Sequence, residues 1–230
     1  LTPETLQSVL AARAAGRTIL LATRLSDGAQ LLLPDPAAPA PLQSVAADAL
    51  GADEAQTIEC GAERWLVQIE APPPRLLIIG AVHIAQSLAP MAALCGYAPT
   101  IIDPRSSFAT AERFPDMLLV DAWPDEALAT LAPDGRTAIV ALSHDPKLDD
   151  PALDAALRSQ SFYVGALGSR KSHASRLRRL AALGHAPATL GRIRGPVGLA
   201  IGARTAPEIA LSVLAEMTAA RRGAEIGIRK

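Results

Sequence analysis

Aromatic side chains make up only 3% of this 230-residue chain, so few platforms exist on which a nucleobase or a flavin ring could stack. Cysteine is scarcer still. Cys60 and Cys95 are the only two, too few for a disulfide framework, and both are expected as core or near-core thiols, Cys95 on the apolar face of a helix. Neither sign of charge is in excess, with 22 Lys and Arg against 23 Asp and Glu, which removes the electrostatic reason to expect nucleic acid. No apolar run approaches the ~18 residues of a membrane-spanning helix. The opening Leu1-Thr-Pro-Glu-Thr5 lacks a basic stretch followed by an apolar one, so the chain is read as cytoplasmic with no membrane partner. The four histidines, His83, His144, His173 and His185, form no His-x-x-x-His pair and lie away from the cysteines, so no metal site is expected. Two enzyme classes are argued against as well. A short-chain dehydrogenase would need Tyr-x-x-x-Lys, but Leu167 stands four residues after Tyr163, and no Gly-x-Ser-x-Gly elbow of a serine hydrolase is present.

What is there is an ordinary globular composition, 50% hydrophobic and 20% charged, in a chain long enough for one large core plus a small one. Residues 1–71 read as a small α+β unit. An amphipathic helix from Thr5 to Ala15, with Leu6, Val9, Leu10 and Arg13, precedes a strand from Arg17 to Thr23, and Asp27-Gly28 turns it into Gln30–Leu33. After a Pro/Ala stretch come a weak helix near Ser44–Leu50 and a second hairpin, Thr57–Cys60 and Arg64–Ile69, across Gly61-Ala62. Ala71-Pro-Pro-Pro74 is a stiff linker.

From residue 75 to 230 strands and helices alternate, which predicts an α/β, Rossmann-like doubly wound parallel sheet covered on both faces. The buried strand Leu76–Ile79 stops at Gly80 and opens a helix carrying Ile84, Leu88, Met91 and Cys95 at helical spacing. Further strands are expected at Thr100–Ile102, Met117–Val120, Ala138–Leu142 and Phe162–Val164, in the order 3-2-1-4-5. Helix starts are written in Pro124-Asp-Glu126, in Asp150-Pro151, and in Thr205-Ala-Pro-Glu208, a capping box ahead of Ile209, Val213, Leu214 and Met217.

Ligands of such sheets bind beyond the carboxyl ends of the strands, at the point where the strand order reverses. The polar residues that follow each strand are therefore the candidates, and a crevice lined by Gly80, His83 and Ser143–Asp145 is expected. Gly80, Val82 and His83 form the first turn, where unpaired N–H groups and the positive helix end favour an anion. Val82 occupies the place where a dinucleotide fingerprint wants a second glycine, which narrows the room for a pyrophosphate. Asp103, 23 residues after Gly80, stands where a carboxylate would accept hydrogen bonds from ribose hydroxyls, and Arg105 could meet a 2′-phosphate. Ser143, His144 and Asp145 follow the fourth strand. His144-Asp145 reads either as an acid/base pair or as an aspartate stabilising the loop around Pro146. Gly165–Ser172 resembles a phosphate cradle, with Gly165 and Gly168 to let the backbone curl, a helix start, and Ser169, Arg170 and Lys171 as donors. No catalytic residue is assigned.

Six ordered segments together resemble the C-terminal Rossmann domain of the XdhC/CoxI family. They are Leu76-Leu-Ile-Ile-Gly-Ala-Val-His-Ile-Ala-Gln86, Ile102-Asp-Pro-Arg105, Phe108–Phe114, Leu142-Ser-His-Asp-Pro-Lys-Leu-Asp149, Tyr163-Val-Gly-Ala-Leu-Gly-Ser-Arg170 and Gly195–Ala210, covering roughly residues 74–222. The resemblance implies a xanthine dehydrogenase accessory protein, a chaperone that binds molybdenum cofactor and delivers it to a molybdenum hydroxylase. It implies that hydroxylase as a partner, with a cysteine desulfurase, a separate chain carrying a missing domain and a second copy of this chain as further candidates. The front of the chain departs from the pattern, because the family's N-terminal Gly-Gly-Cys motif is absent and Glu59-Cys60-Gly61 does not replace it. Residues 1–71 are accordingly read as a degenerate or split version of that domain. The Gly80 turn and the Gly165–Lys171 loop suit the cofactor's terminal phosphate, with Arg105 or Lys147 adding charge. An NAD(P)-dependent oxidoreductase or nucleotide sensor is the alternative, and a Rossmann domain kept for protein contact alone is a third reading.

Overall fold

The computed structural model describes residues 2–48 and 55–225 and divides into two compact units, Leu1–Pro73 and Pro74–Lys230. The first unit runs α1 (Pro3–Ala14), β1 (Ile19–Arg24), β2 (Gln30–Leu33), α2 (Ala40–Asp48), β3 (Gln56–Cys60) and β4 (Glu63–Glu70). Its four strands form an antiparallel sheet in the order β2-β1-β4-β3. The first hairpin closes through Gly28, whose φ of +75° suits glycine, while Asp27 accepts from the Ala29 N–H at 3.0 Å. Alternate residues Leu20 and Ala22 of β1 and Trp65 and Val67 of β4 cluster with Leu33 and Leu42 in a small core. α1 buries Val9 and Ala12 and leaves Leu6 and Leu10 exposed, so its inward stripe is narrower than the sequence suggests. α2 begins four residues before Ser44, and Ala49 and Leu50 of the expected helix lie outside the described residues.

The second unit continues with β5 (Arg75–Ile79), α3 (His83–Leu94), β6 (Ala98–Ile102), β7 (Leu118–Val120), α4 (Pro124–Leu131), β8 (Thr137–Ala141) and α5 (Pro146–Arg158). It ends with β9 (Tyr163–Ala166), α6 (Arg170–Ala182), α7 (Pro187–Leu190), β10 (Ile193–Arg194) and α8 (Ala206–Arg221). All six strands are parallel, in the order β10-β9-β8-β5-β6-β7. This is the expected doubly wound order with a short sixth strand added beside the fifth. Strand periodicity splits the apolar runs between two cores. Leu76, Ile78, Ala138 and Val140 face Leu88 and Ala92 of α3 and Val213 and Met217 of α8. Leu77, Ile79, Ile139 and Ala141 face Leu128 of α4, Leu153 and Leu157 of α5 and Leu180 of α6. Burial on both faces explains why these strands read as continuous apolar runs rather than alternating ones.

Two local expectations are corrected. α3 buries Ala85, Leu88, Ala89 and Ala92, and Cys95, which caps its C-terminus after the helical stripe has ended, is exposed. α5 starts at Pro146 with Asp145 as its N-cap, the carboxylate accepting from the Lys147 N–H at 2.9 Å. Asp145-Pro146 carries the same cap-and-proline signal as Asp150-Pro151, one turn earlier. Asp150 instead pairs with Arg179, and Pro151 lies inside the helix. α4 and α8 begin where Pro124 and the Thr205/Glu208 capping box place them. Among the described residues no helix is long and apolar enough to cross a membrane.

Candidate functional site

The strand order reverses between β6 and β8 on either side of β5, and the loops after β5 and β8 meet there. Gly80 has φ +101°, and a Cβ on it would lie 3.0 Å from both Cβ and N of Ser143. Any side chain at position 80 would therefore meet backbone as well as adopt a disfavoured φ. Val82 is the N-cap of α3 without a side-chain hydrogen bond, and His83 opens the helix on the exposed surface.

Asp103 follows β6 as expected, yet it is fully buried and its oxygens are occupied by the chain itself. One accepts from the Ala81 N–H at 2.8 Å and from Arg105 Nη2 at 2.7 Å. The other accepts from the Arg105 N–H at 3.0 Å and Nε at 2.8 Å. Burial alone would raise its pKa, but the bonds from Arg105 and Ala81 outweigh burial and hold the carboxyl below its ordinary value. Arg105 in turn stacks on Phe108, its guanidinium carbon 4.4 Å from the ring centroid, and feels the charge of Asp145. A ribose hydroxyl or a 2′-phosphate would have to displace contacts that fix the Gly80 turn.

In the β8–α5 loop His144 adopts φ +61°, an αL conformation that histidine tolerates better than most residues. Asp145 accepts from the helix-start N–H of Lys147 as an N-cap, while His144 lines a cavity between α5 and α6. Ser143 Oγ donates to Asp149 Oδ1 at 2.6 Å and accepts from the Asp145 N–H at 3.1 Å. Asp149 Oδ2 lies 3.4 Å from Arg176 Nη2, and both side chains are buried. Burial of Asp149 outweighs the help from Ser143 and Arg176 and raises its pKa. Neither Asp149 nor Arg176 was among the sequence candidates.

The β9–α6 segment is not a single cradle. Gly165 is a buried residue of β9, and a Cβ there would meet Val197 Cγ2 at 2.5 Å and Tyr163 Cε1 at 2.9 Å. It is a packing glycine, and the curl of the loop rests on Gly168, at φ +141°. Ser169 caps α6 by accepting from the Ser172 N–H at 3.1 Å. Arg170 and Lys171 diverge. Lys171 lines the cavity of about 390 Å³ between α5 and α6, whereas Arg170 lines one of about 320 Å³ with Val197, Leu199 and Ile209. Beyond β10, Glu216 Oε2 accepts from Tyr163 Oη at 2.6 Å and from the Gly198 N–H at 2.9 Å, tying α8 to the loop that follows β10.

Of the remaining histidines, His173 packs against Gly195 and leaves its Nδ1 buried without a partner. His185 Nε2 lies 2.6 Å from Asp154, and burial, then the nearby Arg176 charge, lowers the pKa of His173. Among the described residues no group of three or more His, Cys, Asp or Glu is placed to hold a metal ion.

The sequence model of the XdhC Rossmann domain matches residues 76–217, the segment that builds this sheet and its loops. The chain is 37% identical over 150 residues to the molybdenum cofactor insertion chaperone PaoD of Escherichia coli, covering 65% of this chain and 41% of that protein. It is 32% identical over 157 residues to a Bacillus subtilis protein named as a probable subunit of xanthine dehydrogenase, covering 68% of this chain and 46% of that one. The chain thus spans under half the length of either relative. A solved structure of a xanthine dehydrogenase from Bacillus halodurans has the same fold, with a TM-score of 0.70 at 22% identity over 96% of this chain and 65% of that one.

Proposed function

This chain belongs to the XdhC family, and from that premise we propose that it is an accessory protein that binds molybdenum cofactor and hands it to a molybdenum hydroxylase of the xanthine dehydrogenase type. The observation that carries this reading is the match of the entire loop-bearing half of the chain to the family, together with a relative named as a molybdenum cofactor insertion chaperone. The cargo is read as lying across the carboxyl ends of β5, β8 and β9. Gly80, Val82 and His83, then Ser143, His144 and Asp145, and the Gly168–Lys171 turn are its contacts, with Asp103 and Arg105 holding the first turn in place. Gly165 shapes this surface from below.

The site's chemistry is compatible with a transient carrier. It offers backbone turns, hydroxyls and a few cations rather than a metal cage, so the cargo can leave when the acceptor enzyme docks. An NAD(P) reading draws no support from the names of the relatives, and Asp103 is already saturated by its own chain. The unit Leu1–Pro73 is read as a degenerate or split form of the family's front domain. The test is activation of cofactor-free xanthine dehydrogenase by purified molybdenum cofactor, with and without this protein and with and without a family member that carries the Gly-Gly-Cys motif. The reading expects faster or more complete activation when the protein is present, and equal activation in all arms would reject it.

A further inference from the structure

We propose that the cavity between the starts of α5 and α6 is a binding site for a phosphate group, with Arg176 as its buried donor. The cavity encloses about 390 Å³, with His144 and Asp149 on one side and Lys171, Ser172, Ser175 and Arg176 on the other. Positions 171, 172, 175 and 176 fall three and four residues apart, which stacks these four side chains along one face of α6. That face begins at the helix N-terminus, where the macrodipole favours an anion.

Arg176 separates this place from an ordinary helix start. It is 4% exposed, and Nη2 alone has partners, the Leu167 carbonyl at 2.8 Å and Asp149 at 3.4 Å. Nε and Nη1 are buried without any acceptor. Buried donors rarely stay unmatched in native proteins, because each then keeps its full desolvation cost. The neighbouring charges do not supply the missing acceptor. Both oxygens of Asp149 are engaged, by Ser143 and by Arg176 Nη2, and Arg179 is paired with Asp150. Lys171 remains as an exposed cation at the mouth. The unmet need is for acceptor oxygens and negative charge, and a phosphate dianion supplies more of both than a carboxylate does. It fits free phosphate and the phosphate end of a larger molecule equally. The cavity shares His144 and Lys171 with the surface proposed for the cargo, but the inference rests on Arg176 and its unmatched donors and holds whatever the cargo of the protein is.

Isothermal titration of the full chain at low ionic strength with inorganic phosphate, and separately with phenyl phosphate, tests it. Saturable binding is expected, weakened about tenfold or more by Lys171→Ala and by Arg176→Lys. Arg178→Ala, an exposed cation of the same helix that does not line the cavity, should bind as the parent does. Phenyl phosphate binding as well as or better than phosphate supports the site with a larger phosphorylated ligand. Binding of inorganic phosphate alone supports it with the free ion. No saturable binding of either probe, or an equal loss in Arg178→Ala and Lys171→Ala, overturns the proposal, whereas the cofactor reading is decided separately by the activation assay. Lys171→Ala alters only an exposed side chain, so the test survives even if Arg176→Lys fails to fold.

Discussion

Asp103→Ala removes the acceptor of four hydrogen bonds at the switch point of the sheet, from the Ala81 N–H and from three nitrogens of Arg105. Ala81 is fully buried, so its N–H is left unmatched, at a cost of ~1–3 kcal/mol. The Arg105 side chain is 36% exposed and can return to water, so losing its ion-pair partner adds no more than ~1 kcal/mol. Together the change should destabilise the second unit by ~1–4 kcal/mol, which at ~2 kcal/mol per molar urea lowers the unfolding midpoint by ~0.5–2 M. Asp103→Asn keeps one acceptor but turns an amide toward the Arg105 donors, and should fall between variant and parent. The assay is urea unfolding followed by Trp123 fluorescence in a Trp65→Phe background, since these are the only two tryptophans and Trp123 lies in the second unit. The pH dependence gives a second reading. Because the folded-state pKa of Asp103 is depressed, its contribution is present above the ordinary carboxylate titration near ~4 and fades as pH falls through the depressed value. Asp103→Ala should therefore lose less stability than the parent on acidification below pH ~5. A stability within ~0.5 kcal/mol of the parent, or an unchanged acid profile, refutes the role given to Asp103.

Gly165→Ala would drive a methyl group to 2.5 Å from Val197 Cγ2 and should cost ~1–3 kcal/mol by overpacking, read as a lower melting temperature in calorimetry. Tyr163→Phe leaves Glu216 with the Gly198 N–H as its one remaining donor of the two. It should cost ~1–2 kcal/mol and raise hydrogen exchange in the loop after β10. Burial, and then the Glu216 carboxylate, push the Tyr163 hydroxyl far up the pH scale, so in alkaline absorbance titration it should ionise only as the protein unfolds. Arg170→Ala, which lines a different cavity from Lys171, should weaken cofactor retention about ten- to a hundredfold, since the Gly168–Lys171 turn is read as a cargo contact. Retained cofactor with poorer activation of apo-hydroxylase would place Arg170 on a face that docks the acceptor enzyme instead.

The sheet was legible because its central strands β5, β8 and β9 are apolar runs buried on both faces, and because Gly80, Pro124 and Thr205 punctuate it with chemistry of known geometry. Other signals were ambiguous in kind. Asp145-Pro146 and Asp150-Pro151 carry the same helix-start chemistry, and the contacts that go with the earlier start, Ser143 to Asp149 across the loop and Asp150 to Arg179, are tertiary. A glycine announces that no side chain fits, whether from backbone conformation, as at Gly80, or from packing, as at Gly165. Ile193–Arg194 is too short for any periodicity to show. Arg176 was invisible for another reason. It sits among Arg170, Lys171, Arg178 and Arg179 in what reads as a solvated basic helix, and its burial arises only when Asp149 of α5 comes to rest beside it.

The central claim is tested most directly by the small molecules that this protein carries when it is purified from its own host after growth with molybdate. Denaturing the protein and analysing the released fraction by mass spectrometry should yield a molybdopterin-type pterin phosphate, in amounts that follow the protein through purification and drop sharply in Gly80→Val, whose side chain would collide with the Ser143 backbone. Recovery of NAD(P) in its place, or of no pterin from protein that folds and is produced normally, would contradict the account.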